Sequence, residues 1–388
     1  MTRLRVGVNL LWLVPGVVGG SEEYTTRLLA GVAEAAPPDI EVVLFTLRPF
    51  GDAYPDIVSA FPTRVAPLQG RSKALRVAAE ASWLAWKARR ERVDLVHHAG
   101  GTMPLLRSRP GMLTIHDLQP LVLPDHFSAL KQMWLRRRLP PSVRNARIVV
   151  TLTEDTRRSV IVILGAQADR VVLVPPGIGL AADPGAGSTD ASDDPAETYD
   201  IHGPFFLYPA ITYPHKNHAL LIHAFARVAA RRPDVLLVLT GGTAASETDV
   251  AAAIEGLDLA DRVRRLNRIP RPDLEWLFRH AVALTFPSRF EGFGLPVLEA
   301  MAVGCPVVAA ATTALPEVVG DAGVLLPADD PDPWTSAMLD LLENRARREQ
   351  LAAAGRARAA DFSWAGATGK LLAAYRLAAR AVAAGDRP

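Results

Sequence analysis

The chain has 388 residues, with 43 basic against 41 acidic side chains and a single cysteine, Cys305. That length suggests about two domains at roughly 100–200 residues each, and the balanced charge argues against a general nucleic-acid binder. One cysteine excludes an internal disulfide and fits a reducing cytoplasm.

The opening run, RVGVNLLW, follows Arg3 and Arg5 and imitates a secretion signal. Asn9 interrupts it and no small-residue cleavage site follows, so it reads as a first buried strand. No later stretch reaches the roughly 18–20 apolar residues of a membrane span. GVVGGSEEY comes next as a glycine loop feeding a helix over 21–36, with Ser21 as N-cap and Glu22 and Glu23 at the positive end of the dipole. EVVLFTL, DLVHHA, MLTIHDL, RIVVTLT and RVVLVPP are further strands, with helices such as 153–164 between them. This alternation predicts an α/β fold with a doubly wound parallel sheet.

The pattern stops at AADPGAGSTDASDDPAETYD, which is small, polar and acidic and reads as a flexible linker. It restarts with FFLYPA, VLLVLTGG, RVRRLN, AVALTFPS and CPVVAA. Between these lies RPDLEWLFRHA, whose Leu274, Leu277, Phe278 and Ala281 fall on one helical face. The expected organisation is a domain over 1–180, a linker over 181–201, a second α/β domain over 202–362 and an amphipathic helix over 363–388. That last helix is a candidate to pack across both domains. Ligands of such sheets bind beyond the carboxyl ends of the strands, and the cleft between two such domains is the default site.

The most informative segment is SRFEGFGLPVLEAMAVGCPVVAA, an apolar run that carries Glu291 and Glu299. Pro296 suits a first helical turn and Gly304 a helix end, so RFEGFG is a loop that closes a strand and opens a helix. Glycines let the backbone approach a ligand, and the amides of a helix start favour an anion such as phosphate. Glu299 sits about one turn into that helix, among apolar neighbours, and needs donors to offset its desolvation. The two hydroxyls of a ribose would supply them.

This segment, continued through TTALPEVVGDAGVLLPADDP, closely resembles glycosyltransferase family four, the large retaining group of GT-B fold, and the likeness extends over nearly the whole chain. It implies two Rossmann-like domains facing across a cleft, with the terminal helix crossing back. By that resemblance Glu299 holds the nucleotide ribose and Glu291 lies at the transferred sugar and reacting centre. The amides of Gly292, Phe293, Gly294 and Leu295 contact sugar and phosphate. YPAITYPHKNH resembles the family's K-N segment, in which Lys216 neutralises the diphosphate. Many relatives carry an arginine where this chain has Ile211, which leaves Thr212, Ser288 or Arg289 as alternative phosphate partners. TIHDLQPL resembles the segment whose histidine, here His116, touches the donor sugar. Asp117 beside it is an acceptor-side or a structural residue. Gly19 and Gly20 match the first-domain loop near phosphates or acceptor. Backbone groups at Arg268 and Ile269 are placed to read the nucleobase.

Several features are set aside. His215 and His218, and the pair His97–His98, lack the cysteine or acidic partners of a metal set. Asp330 and Asp332 form a D-x-D in a proline-rich, solvent-facing loop. GATGK at 366–370 has the wrong spacing for a phosphate loop, and the first glycine loop is not a dinucleotide fingerprint. Two basic stretches contain Trp83, Trp86 and Trp134, with Lys131, Arg136, Arg137, Arg138, Arg144 and Arg147 in the second. They are read first as solvated helix faces with inward tryptophans, and second as a surface for anionic lipid.

The resemblance therefore implies a retaining, metal-independent hexosyltransferase with no cofactor. GDP-mannose is the favoured donor and a UDP- or ADP-hexose the alternative. A glycan or lipid-linked hydroxyl is the acceptor. The single cysteine fits a cytoplasmic location, and peripheral contact with the inner membrane face is the second reading of the basic stretches, after solvated helix faces. Rival readings are a non-catalytic sugar-nucleotide binder, a retaining glycoside hydrolase built on Glu291 and Glu299, and a nucleotide-sugar epimerase.

Overall fold

A computed structural model describes residues 3–17, 19–179 and 194–383. Two compact units divide the chain, with boundaries at Gly177/Ile178 and at Phe362/Ser363. Most of the linker expected over 181–201 lies outside the described residues. Its described end is ordered instead: Asp194 accepts a hydrogen bond from the Ala196 amide and caps a short helix, Pro195–Thr198.

The first unit is built on a seven-stranded parallel sheet. Its strands are β1 Leu4–Asn9, β2 Ile40–Thr46, β3 Thr63–Val65, β4 Leu95–His98, β5 Gly111–Ile115, β6 Ala146–Thr151 and β7 Val171–Leu173, in the order β3-β2-β1-β4-β5-β6-β7. Helices cover both faces of such a sheet, so its central strands read as continuous apolar runs. In β1, Val6 and Val8 are fully buried, and Val6 is paired with Val42 on one side and Leu95 on the other. The chain leaves β1 toward β2 and returns to β4, so the strand order reverses between β1 and β4. That is the crevice in which such sheets bind ligands.

The helix after β1 spans Gly20–Ala35, and its N-cap is Gly19 rather than the expected Ser21. Gly19 has φ 67°, a left-handed value that a glycine adopts without strain. Glu22 is not left in solvent at the dipole. Its carboxylate accepts the Gly16 amide at 3.0 Å and the Tyr54 hydroxyl at 2.5 Å, which ties the glycine loop to the unit.

The terminal helix, Trp364–Ala383, belongs wholly to this first unit. It approaches the Gly20–Ala35 helix so closely that a Cβ on Gly31 would stand 2.2 Å from Thr368 Oγ1. Tyr375 reaches the sheet through a 2.9 Å hydrogen bond to His97 Nδ1.

The second unit repeats the plan with six parallel strands: β8 Phe205–Pro209, β9 Leu236–Thr240, β10 Val263–Arg265, β11 Ala283–Phe286, β12 Val307–Ala310 and β13 Val324–Leu326. The order is β10-β9-β8-β11-β12-β13, so the reversal lies between β8 and β11. Phe205, Phe206, Leu207 and Tyr208 fill the middle of this core against Leu284 and Phe286. Among the described residues no helix is long and apolar enough to cross a membrane.

Candidate functional site

The second unit places Lys216 and Glu291 at the reversal point, on the loops that follow β8 and β11, with Glu299 on the helix that the latter loop opens. After β8 the chain forms a tight turn, Pro214–Lys216, and Asn217 follows with φ 59°. Asparagine tolerates this left-handed geometry better than most residues. Its side-chain amide donates to the carbonyls of Pro287 at 3.2 Å and Ala328 at 2.8 Å. The asparagine thus fastens the β8 loop to the loops after β11 and β13 and presents Lys216 beside them. Tyr208 holds the same turn from below, its hydroxyl donating to the Lys216 carbonyl at 2.5 Å.

The structure brings Lys216 and Glu291 together: Nζ lies 2.6 Å from Oε1, with the side chains only 17% and 11% exposed. The Glu291 amide donates to Thr313 Oγ1 at 2.9 Å, which fixes the loop carrying the carboxylate. Gly294 then caps the Leu295–Val303 helix with φ 98°, and a Cβ there would also stand 2.8 Å from Leu315 Cδ2. The helix ends at Gly304, φ 81°, as its sequence predicts. Phe293 does not present its ring to a ligand: it is buried edge-to-face on Phe362, so any contact from this residue comes from its backbone.

Glu299 lies one turn into this helix and is 9% exposed. Its Oε1 meets Arg271 Nη1 at 2.5 Å, and Arg271 is itself largely exposed, at the start of the Arg271–His280 helix. The donor that this carboxylate was expected to require is therefore supplied in part by the protein, by a residue that the sequence reading did not single out.

The candidates to replace an arginine at Ile211 separate clearly. Thr212 is corrected: its hydroxyl donates to Glu247 Oε2 at 2.8 Å and accepts the Ala244 amide at 2.7 Å, which leaves it no proton for a phosphate. Ser288 is fully buried and donates to the carbonyls of Phe290 and His215. Arg289 is exposed, its amide held by the His215 carbonyl at 2.7 Å. Arg268 and Ile269 follow β10, whose loop is anchored by Asn267 accepting from the Gly241 amide and the Thr240 hydroxyl. The Arg268 guanidinium borders Gly242 on the side facing Ile211: a Cβ built on Gly242 would stand 3.4 Å from Arg268 Nε and 3.8 Å from Ile211 Cγ1.

In the first unit His116 ends β5. Its Nε2 lies 2.9 Å from the Ala99 carbonyl, which can only accept, so Nε2 carries the proton and Nδ1 offers a lone pair. Burial holds its pKa below the ordinary histidine value, so the ring is neutral at pH 7. Trp12 and Tyr24 flank it, with centroids 6.0 and 5.5 Å away. Asp117 accepts the Gln119 amide at 2.9 Å, which gives it a structural part in the following turn. Gly19 and Gly20 are both exposed at the start of their helix.

The features set aside have ordinary roles. His97 is buried between Tyr375 and Thr114, and burial pushes its pKa down to about 3. His98 accepts from Asn9 Nδ2 at 3.2 Å. Asp330 and Asp332 face solvent as expected, but at a helix start and not in a loop: Asp330 caps the Pro331–Glu343 helix by accepting the Asp332 amide, and Asp332 pairs with Arg227. GATGK lies inside the terminal helix. Trp83 packs edge-to-face on Phe45, whereas Trp86 is exposed. Among the described residues no group of histidine, cysteine and acidic side chains could hold a metal ion.

Comparison with known proteins follows the same division. The model "Glycosyltransferase Family 4" matches residues 18–182, and the model "Glycosyl transferases group 1" matches residues 196–358. An O-antigen chain mannosyltransferase B of Escherichia coli is 30% identical over 301 residues, 76% of this chain and 77% of that protein. A D-inositol 3-phosphate glycosyltransferase of Kineococcus radiotolerans is 31% identical over 409 residues, 94% of this chain and 91% of that protein. The structure of HepE from Anabaena in complex with UDP and glucose superposes with a TM-score of 0.71 at 20% identity, covering 96% of this chain and 99% of that one.

Proposed function

The chain belongs to the family 4 glycosyltransferases of GT-B fold, and from that premise we propose that it transfers a hexose from a nucleoside-diphosphate sugar to a hydroxyl, with retention at the anomeric carbon. The observation that carries this reading is the Lys216–Glu291 pair beside a glycine-capped helix start, at the point where the strand order of the second unit reverses. A departing diphosphate gains negative charge as the glycosidic bond breaks. The Lys216 ammonium and the amides of the helix start stabilise that charge. These groups take the role a metal ion would otherwise fill, so activity survives a chelator. Glu291 orients the sugar and balances positive charge at the anomeric carbon. Glu299 holds the ribose hydroxyls, which share its carboxylate with Arg271. His116 offers its Nδ1 lone pair to a sugar hydroxyl.

Mannose is the favoured sugar and GDP-mannose the favoured donor, with a UDP-hexose as alternative; the mannosyltransferase relative supports this choice. The acceptor is a glycan or lipid-linked hydroxyl. The enzyme works in the cytoplasm, in peripheral contact with an anionic membrane through the exposed Leu130 and Met133 beside Arg136 and Arg137. Failure to sediment with anionic vesicles at low salt would remove that contact.

A glycoside hydrolase would set its two carboxylates against one glycosidic bond. Here each is engaged by its own cation, Lys216 or Arg271. A non-catalytic sugar-nucleotide binder is favoured by Ile211, where many relatives carry a cation. The deciding experiment is a thermal-shift panel of UDP, GDP, ADP and dTDP with their sugars, followed by turnover with the stabilising donor. Stabilisation by none refutes the transferase reading. Stabilisation without transfer or donor hydrolysis over a panel of acceptors makes the protein a binder.

A further inference from the structure

Two side chains of the first unit are left with hydrogen-bonding needs that answer each other. Trp12 Nε1 and His116 Nδ1 are both buried, and among the described residues neither has a hydrogen-bond partner. Buried polar groups are ordinarily satisfied, and an unpaired one calls for a reason. The indole N–H can only donate. The imidazole is neutral because burial lowers its pKa, and its proton sits on Nε2, so Nδ1 can only accept. The ring centroids are 6.0 Å apart, with the planes tilted by 48°.

The fold sets these rings side by side. Trp12 lies three residues beyond β1, His116 directly follows β5, and β4 runs between the two strands. The chain that leaves β4 holds both rings. The Ala99 carbonyl accepts from His116 Nε2 at 2.9 Å. The next residue, Gly100, lies against the indole, where a Cβ would stand 2.6 Å from Trp12 Cδ1 and 2.8 Å from Cδ2. Arg76 Nη1 donates to the Trp12 carbonyl at 2.6 Å and steadies that backbone. Tyr24 stands edge-on to His116 at 5.5 Å, its own hydroxyl anchored on the Val174 carbonyl at 2.8 Å. These contacts use Nε2 of the imidazole, the indole carbons and the tryptophan backbone. They leave Nδ1 and Nε1 unspent. Both residues line a cavity of about 420 Å³, within the roughly 300–1,000 Å³ of small-molecule sites.

We propose that Trp12 selects the transferred sugar by one of its hydroxyls, whose oxygen accepts from Trp12 Nε1 while its proton is donated to His116 Nδ1. This rests on the transferase reading, which already gives His116 a sugar hydroxyl. What is added is Trp12, and with it the demand for a group that accepts and donates through a single atom. A hydroxyl meets that demand. A carboxylate or an ionised phosphate oxygen only accepts and would face the Nδ1 lone pair; a hydrogen or a methyl group leaves both nitrogens unpaired. Neither nitrogen is open to solvent, so the hydroxyl parts the rings slightly on entry and is then shielded from water.

The test uses the full chain and two parent donors, GDP-mannose and UDP-glucose. For each, analogues replace one sugar hydroxyl at a time by hydrogen or by fluorine, and calorimetry reads the affinities. At one ring position of the donor that binds, hydrogen should weaken binding about 10- to 100-fold, the loss of two buried hydrogen bonds. Fluorine should do no better there, because it cannot donate to Nδ1. Trp12→Phe removes the N–H and keeps an aromatic ring against Gly100. In this variant the discrimination at that position should shrink about tenfold, the loss of one such bond. Discrimination at the other positions and affinity for GDP or UDP alone should stay as they were. An indole that only packs would instead change all the analogues together, and that result overturns the proposal. Equal affinity across the wild-type panel overturns it too, and needs no variant that folds. So does a positional discrimination that Trp12→Phe leaves intact. In each of these cases nucleotide binding keeps the transferase reading standing. If neither GDP nor UDP binds, the donor reading fails, and this inference with it.

Discussion

Glu291→Gln and Lys216→Met should move nucleoside-diphosphate affinity in opposite directions. The two side chains are 2.6 Å apart and only 17% and 11% exposed, so water replaces little of what either loses. A hydrogen bond to a charged group is worth about 1.5–3 kcal/mol. Glutamine at 291 keeps the shape, removes the charge and frees the ammonium for a phosphate. Methionine at 216 removes the ammonium and leaves a carboxylate facing that phosphate. At 1.4 kcal/mol per factor of ten, affinity should rise roughly 10- to 100-fold in Glu291→Gln and fall by about the same in Lys216→Met. Transfer should nonetheless slow in both, by about 10²–10³, because each loses an electrostatic group of the transition state. Stability gives the control. Each variant leaves one partner unpaired, at about 1–3 kcal/mol. That corresponds to a Tm lower by roughly 2–4 °C per kcal/mol in a unit of this size. Calorimetric titration of the stabilising nucleoside diphosphate, beside a melting curve, reads both quantities. If affinity moves in the same direction in the two variants, the pair is a structural brace and Lys216 has no phosphate role.

Glu299→Ala should raise the donor KM about 10- to 100-fold with little change in kcat, as expected when uniform binding is removed; an equal fall in kcat would place Glu299 in the chemistry. Arg268→Ala should weaken nucleoside-diphosphate binding about tenfold if its guanidinium serves the diphosphate from beside Ile211, as one charge-assisted contact would, and adding Ile211→Arg should restore it; no rescue refutes that role. Burial pushes the Glu80 carboxyl up to about 7, against the restraining effects of Asn9, Arg76 and Arg138. The folded state then holds a proton that the unfolded chain releases near its ordinary pKa, so stability is greatest below about pH 4.5 and declines as pH rises toward 7. The loss is on the order of 3 kcal/mol, and Glu80→Gln should remove that slope in urea titrations run at pH 5, 6, 7 and 8. Asn217→Gly keeps the left-handed backbone and loses both side-chain bonds, whereas Asn217→Ala adds roughly 1–2 kcal/mol of strain; equal unfolding free energies would show that the turn relaxes.

What the sequence reveals and what it conceals divide along a physical line. The central strands are legible because both of their faces are buried, which leaves an apolar run such as Val6 to Val8 or Phe205 to Tyr208. The edge strands β3 and β13 are only three residues long, with half-buried or exposed side chains, too short for such a run to stand out. Helix ends are legible where the cap is local, as at Gly294 and Gly304. Asp330 followed by Pro331 is an equally local capping signal, and reading it as loop gave weight to prolines that in fact open a helix. The site behaves differently. A carboxylate in an apolar run announces that a donor must be near, and that much holds for Glu291 and Glu299. Which donor it is depends on partners distant in sequence: Lys216 is 75 positions from Glu291 and becomes its neighbour only because β8 and β11 pair at the reversal point. Arg271 reaches Glu299 because the helices on either side of β11 pack together. Glu80 gives no signal at all, being one acid in an alanine-rich helix. Its environment comes from Asn9 at the end of β1, 71 positions away. Motifs therefore mark the groups that need partners, and strand order decides which partners they get. That is why Arg268, on the loop after β10, comes to border Gly242 and Ile211, on the loops after β9 and β8.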